Sequence, residues 1–231
     1  NLRFGYHAAD DIRRRLITLW NVYGFFVTYA SLDGFDPAEA QVEETLGQSS
    51  NPLDRWILSD LHRTLGIFTR GLEEYDVAGS LRAADAFLEA LSTWYLRRSR
   101  RRFWKSTADE DKKFAYRTLF HVLVTFSEML APVVPFLAEE IYRNLTGSLR
   151  KGPRADTGSL VAGGDAGGAG EPGGAGAWPE SVHLRQYPNV RQGLVDEALN
   201  ARMARVLTSV SLGRATSVSR PITARRWTSK G

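Results

Sequence analysis

From Leu53 to Tyr75 the apolar residues Leu53, Ile57, Leu61, Leu65, Phe68, Leu72 and Tyr75 recur by threes and fours. That 3.6-residue period puts all seven on one face of a helix and excludes a half-buried strand, whose period is two. Asn51-Pro52 supplies the start: a capping side chain, then a proline at the first helical position, where its missing N–H costs nothing. The pattern repeats along the first 146 residues. Ile12, Leu16, Leu19, Trp20, Tyr23, Phe26, Val27 and Ala30 form a stripe over 8–31, closed by Gly34, Asp36 and Pro37. Residues 39–50 read as a polar connector. Asp76 is placed to cap a third helix carrying Val77, Leu81, Ala84, Leu88, Leu91 and Tyr95. Thr107-x-x-Glu110 has the form of a capping box for a fourth, with Phe114, Leu119, Leu123, Phe126, Met129 and Leu130. Pro132 and Pro135 must interrupt that helix, since each removes an amide donor. A fifth segment runs from Phe136 to Leu145, and Val195 to Leu212 is a further helical stretch. Without sustained two-residue alternation, the expectation is an all-α protein, an antiparallel helical bundle.

Glycine divides the chain. Eleven of its 21 glycines fall between Gly147 and Gly176. Such a stretch buries too little apolar surface to offset chain entropy, so it reads as a disordered insertion. Three regions follow: a bundle over 1–146, a flexible Gly/Ala-rich insertion over 147–177, and a short C-terminal extension with one helix over 178–231. No apolar run is long enough for a transmembrane helix. The absence of cysteine excludes a disulfide scaffold, a thiolate-held metal and a Cys nucleophile.

Catalytic patterns are missing. There is no Gly-x-Gly-x-x-Gly after a strand and no Walker lysine. His7, His62, His121 and His183 stand far apart with no metal-ligand spacing, and read as surface or core-edge histidines. Glu139 and Glu140 are adjacent, hence about 100° apart on a helix, and read as a solvated face. The chain is therefore expected to hold no catalytic residue, no metal and no cofactor.

Charge is more telling. The net charge is +4 and the pI about 9.5, with the cations concentrated in two zones. Residues 182–231 hold nine Arg or Lys against Asp196 and Glu197. The stretch Trp94-Tyr95-Leu96-Arg97-Arg98-Ser99-Arg100-Arg101-Arg102-Phe103-Trp104-Lys105 interleaves cations with aromatics. That composition suits a nucleic-acid backbone and exposed bases. Arg97, Arg98, Arg100, Arg101, Arg102, Phe103, Trp104 and Lys105 are the candidate nucleic-acid-binding residues, with a core or hinge position as the other reading of Phe103 and Trp104. Helical spacing puts Arg97, Arg101 and Lys105 on one side, with Arg98 and Arg102 beside them. Trp94 and Tyr95 are expected in the core. Two other readings stand beside this one: cations meeting a helix dipole at its C-terminus, and arginines paired with acids on neighbouring helices.

Several separated motifs occur in one family's order. They are Leu19-Trp20-Asn21-Val22-Tyr23, Asn51 to Ser59, Tyr75-Asp76, Trp94 to Lys105, Leu130 to Tyr142 and Ser211-Leu212-Gly213-Arg214-Ala215. Together they resemble the anticodon-binding domain of isoleucyl-tRNA synthetases, over about 1–146 and again over 178–215. The related valyl type carries an acidic residue after the Trp-Tyr pair, where this chain has Arg97-Arg98-Ser99-Arg100. The insertion is longer than the family needs, and the stretch from Ser217 to Gly231 does not resemble it.

The resemblance implies a class I aminoacyl-tRNA synthetase, whose full chain joins isoleucine to its tRNA with ATP. Its His-x-Gly-His and Lys-Met-Ser-Lys-Ser motifs are absent here, as is its editing domain. The expectation is thus a fragment that begins after the catalytic domain and is inactive alone. Its implied partners are the tRNA for isoleucine and the catalytic domain of the same enzyme, in a cytoplasmic monomer away from membranes. The alternatives are a helical docking bundle that binds a protein domain rather than RNA, and the same module of a valyl-tRNA synthetase.

Overall fold

In a computed structural model of the 231-residue chain, residues 5–38, 46–105, 109–150 and 178–218 are described. They hold seven α-helices: α1 (Tyr6–Asp33), α2 (Pro52–Glu73), α3 (Val77–Glu89), α4 (Arg97–Trp104), α5 (Glu110–Leu130), α6 (Pro135–Arg150) and α7 (Glu197–Val218). A π-helical stretch, Ala90–Leu96, joins α3 to α4 without a break. No strand occurs among the described residues, and no helix there is long and apolar enough to cross a membrane.

Local sequence sets the helix ends. The Asn51 side chain accepts the Leu53 N–H at 3.0 Å, with Pro52 at the first position. Asp76 accepts the Gly79 N–H at 2.9 Å. Gly34 closes α1 at φ 65°, in the left-handed region where a Cβ is penalised. The cap of α5 differs from expectation. Asp109, not Thr107, accepts the Lys112 N–H, at 2.8 Å; Thr107 lies outside the described residues. Between α5 and α6 the turn over 131–134 absorbs Pro132, and Pro135 begins α6.

The bundle packs around α5, which is buried almost all round from Ala115 to Leu130. Leu61, Leu65 and Phe68 of α2 are fully buried, as is Leu91; Leu88 of α3 is nearly so. Helices α2 and α3 approach closely at Gly71, where an added Cβ would collide with Ser80 Oγ. That hydroxyl donates across the pair to the Phe68 carbonyl at 3.0 Å. Tyr75 leaves the expected stripe: it sits in the turn at φ 62° and is 91% exposed. A Leu65→Ala substitution removes a side chain with no exposed surface, so the unfolding free energy should fall by about 2–5 kcal/mol in urea titrations.

Residues 178–195 belong to the same compact unit as the bundle. Ser181 Oγ and Val182 N–H both donate to Glu139 at 2.9 Å. Tyr187 Oη donates to the Met129 carbonyl at 3.3 Å, and Arg185 pairs with Glu128. So Glu139, expected on a solvated face, anchors this segment. The described residues from 196 to 218 belong to a second unit, whose helix α7 is capped by Asp196 accepting the Leu199 N–H at 2.9 Å. The insertion expected over 147–177 lies outside the described residues from 151 onward.

Candidate nucleic-acid interface

The arginine stretch occupies α4, whose inner side is pinned by a buried charge network. Asp54, on the first turn of α2, has no exposed surface. It accepts from Ser49 Oγ at 2.7 Å and Tyr95 Oη at 2.9 Å. Both terminal nitrogens of Arg102 donate to it at 2.7 Å, a bidentate fork that fits a carboxylate. Arg102 Nε donates to Asp111 at 3.0 Å, and Nη2 to the Asp111 carbonyl at 2.8 Å. Burial alone would lower the Arg102 pKa; the hydrogen bonds and charge of Asp54, with Asp111 behind them, outweigh it and hold the guanidinium ionised. Burial, then the Asp54 charge, pushes the Tyr95 phenol well above its ordinary value. At this site the reading that pairs an arginine with acids of neighbouring helices holds.

Phe103 is also inside. It is 1% exposed and meets Tyr116 edge-on at 4.9 Å and Phe25 at 5.3 Å. Neither Arg102 nor Phe103 reaches the surface as grouped by the sequence, because the core claims the α4 side on which both lie. Lys105 is exposed and pairs with Asp109 at 3.2 Å. Beside it, Lys112 donates to the Lys105 carbonyl at 2.6 Å and pairs with Asp33 of α1 at 2.8 Å. Tyr116 Oη donates to the same Asp33 carboxylate.

The remaining candidates face outward. Arg97, Arg98, Arg100 and Arg101 are exposed, and Trp104 is 56% exposed. Among the described residues none of these four arginines makes an ion pair. At about 100° per residue, Arg97, Arg101 and Trp104 share the outer crest of α4, with Arg98 on one flank and Arg100 on the other. The Arg100 guanidinium carbon lies 5.9 Å from the Phe25 ring centre. Arg98 lies 4.1 Å from the centre of the Trp94 ring. Trp94, expected in the core, is only half-buried, whereas Tyr95 has no exposed surface.

The family model described as "Anticodon-binding domain of tRNA ligase" matches residues 54–219, from the buried Asp54 through α4 to the second unit. The chain belongs to that family. An isoleucine–tRNA ligase of Dehalococcoides mccartyi is 41% identical over 213 residues, 92% of this chain. One from Thermus thermophilus is 40% identical over 215 residues, and one from Treponema denticola 36% over 216. The chain spans about a fifth of these relatives, 18%, 18% and 17% of their length. The relatives are of the isoleucyl type, to which Arg97–Arg100 pointed. What the match shows for this chain is an anticodon-binding domain of the tRNA-ligase type over residues 54–219.

Sequence spacing gave no hint of two features. Asp54 and Asp111 are 57 positions apart, and a shared guanidinium joins them. His62 and His121 come within 5.8 Å, ring centre to ring centre, across α2 and α5. Among the described residues no group of three or more His, Asp or Glu is placed to hold a metal ion.

Proposed function

We propose that this domain binds the tRNA for isoleucine through the outer face of α4, within a protein that joins isoleucine to that tRNA with ATP. The observation that carries the reading is the division of one arginine run. Arg102 is spent on Asp54 and Asp111, while Arg97, Arg98, Arg100 and Arg101 are held outward with no acid paired to them among the described residues. Holding four unpaired cations on a short rigid helix is costly by self-repulsion, and a polyanion removes that cost. Phosphate contacts would fix the register of the RNA, and Trp104 on the same crest offers a ring to an unpaired base. Lys105, paired with Asp109, extends the same basic edge. The ATP chemistry falls to other parts of the protein, a cytoplasmic monomer in this reading.

A contact with a further domain is favoured by a separate observation. Ile12, Ile17 and Trp20 of α1 are 57%, 44% and 43% exposed, and Phe136 of α6 is 90% exposed. With Leu16 and Leu137, the three α1 residues line an open apolar recess. We assign this face to the catalytic domain of the same enzyme, so docking and RNA binding use different faces of the bundle.

The test is salt dependence. Each arginine that neutralises a phosphate adds about 0.7–0.9 to the slope of log affinity against log salt. Arg97→Ala and Arg101→Ala should each lower that slope by about one, and weaken cognate and non-cognate tRNA alike. Unchanged slopes in both variants would transfer the arginines to the protein-docking reading.

A further inference from the structure

The turn between α3 and α4 changes which residues reach the surface. In an unbroken α-helix, residues seven apart share a face. Phe87 and Leu91 are 1% and 0% exposed. Their partners seven residues on are Trp94 and Arg98, which would then point into the core. Instead Arg98 is exposed, Trp94 lies at the border, and Ser99 takes the buried place with 0% exposure. The cause is the π-helical stretch Ala90–Leu96, whose wider turn shifts the buried face by about one residue. The displaced pair meets outside: the Arg98 guanidinium lies over the Trp94 ring, 4.1 Å from its centre.

We propose that the Arg98–Trp94 stack is a platform for an unpaired RNA base, formed by the π turn. This deepens the RNA reading above and rests on it. A guanidinium is planar, and with one face on the indole its other face remains for a nucleobase, giving a base–guanidinium–indole sandwich. Among the described residues Arg98 has no ion-pair partner and no second ring against it. Arg97, one position away on the crest, is placed for a flanking phosphate. The platform reads an unstacked base, so it recognises a single-stranded loop and not a duplex.

The experiment uses the whole 231-residue chain with two probes: a stem–loop RNA carrying 2-aminopurine in its unpaired loop, and a fully paired duplex of equal length. Arg98→Lys keeps the charge and loses the plane; Trp94→Leu removes the floor of the stack. Each variant should weaken stem–loop binding by about five- to 150-fold, the range of one stacked base. The salt slope and duplex affinity should stay at wild-type values, and the 2-aminopurine quenching seen with wild-type chain should be lost. Because Arg98→Lys alters an exposed side chain, its result stands even if Trp94→Leu misfolds. Wild-type loop affinity in Arg98→Lys, or an equal loss on duplex, overturns the platform. If Arg97→Ala still lowers the salt slope, the interface stands without the platform; if the wild-type chain binds neither probe, both fall.

Discussion

Replacing Asp54 with alanine should lower the unfolding free energy by about 3–5 kcal/mol, the usual cost of leaving a buried charge without its partner. Asp54 has no exposed surface and takes four hydrogen bonds, two from Arg102, one from Tyr95 and one from Ser49. Without it, Arg102 remains 7% exposed with Asp111 as its one charged partner among the described residues. Arg102→Ala should cost a similar amount, because Asp54 is then the stranded charge. The double substitution should be less damaging than the sum of the two, since neither charge is stranded. Tyr95→Phe removes one hydrogen bond to a charged group and should cost about 1.5–3 kcal/mol. Urea titrations of the four variants at neutral pH give all these values. Additive losses from Asp54→Ala and Arg102→Ala would show that the two residues do not act as a pair.

Acidification should act mainly through two histidines, the buried His62 and the half-buried His121. His62 accepts the Arg191 N–H on Nδ1 at 3.4 Å. Burial, with the Arg191 charge added, pushes its pKa down to about 4. Burial likewise pushes His121 down to about 3, with the charges of Arg191, His62 and Arg185 adding to it. Both fold neutral, whereas in the unfolded chain they titrate near 6.5. Below that pH the unfolded state takes protons that the native state refuses. Stability is therefore full above about 6.5 and falls as pH drops toward 4. At 1.36 kcal/mol per unit for each histidine, the pair should cost on the order of 3–6 kcal/mol by pH 4.

Glu128 works the other way. Burial pushes its carboxyl up to about 7 despite the opposing pull of Arg185. Its contribution is present at acid pH and lost as pH rises from about 4.5 to 7, so it masks part of the histidine effect. The Glu128→Gln variant should show a steeper loss between pH 6.5 and 4 than wild type, and adding His121→Leu should flatten it. A level profile in Glu128→Gln would refute the assignment. Asp33, held below its ordinary value because Lys112 and Tyr116 outweigh its burial, affects stability only below that window.

Much of the fold was legible because helix periodicity and capping are local. Asn51-Pro52, Asp76 and Gly34 each satisfy or release backbone groups within a few residues, so their roles do not depend on the rest of the chain. Leu61, Leu65, Phe68, Leu88 and Leu91 lie on the buried faces that their spacing assigned. The basic, aromatic-rich character of 94–105 was equally a property of the sequence.

Which arginine faces where was a tertiary decision. Spacing put Arg98 and Arg102 side by side, but a π turn cannot be read from a 3.6-residue stripe, and it rotates everything after Leu96. Spacing also cannot place a carboxylate 48 positions away, yet Asp54 is what makes burial of Arg102 tolerable. Ile12, Trp20 and Tyr75 mark the same boundary. Each fits an apolar stripe, but a stripe is a property of one helix, and burial requires a second element laid over it. The sequence by itself determined the helices, their ends and the charge of α4. Long-range pairing and one wide turn decided which of its cations the core keeps and which it leaves in the solvent.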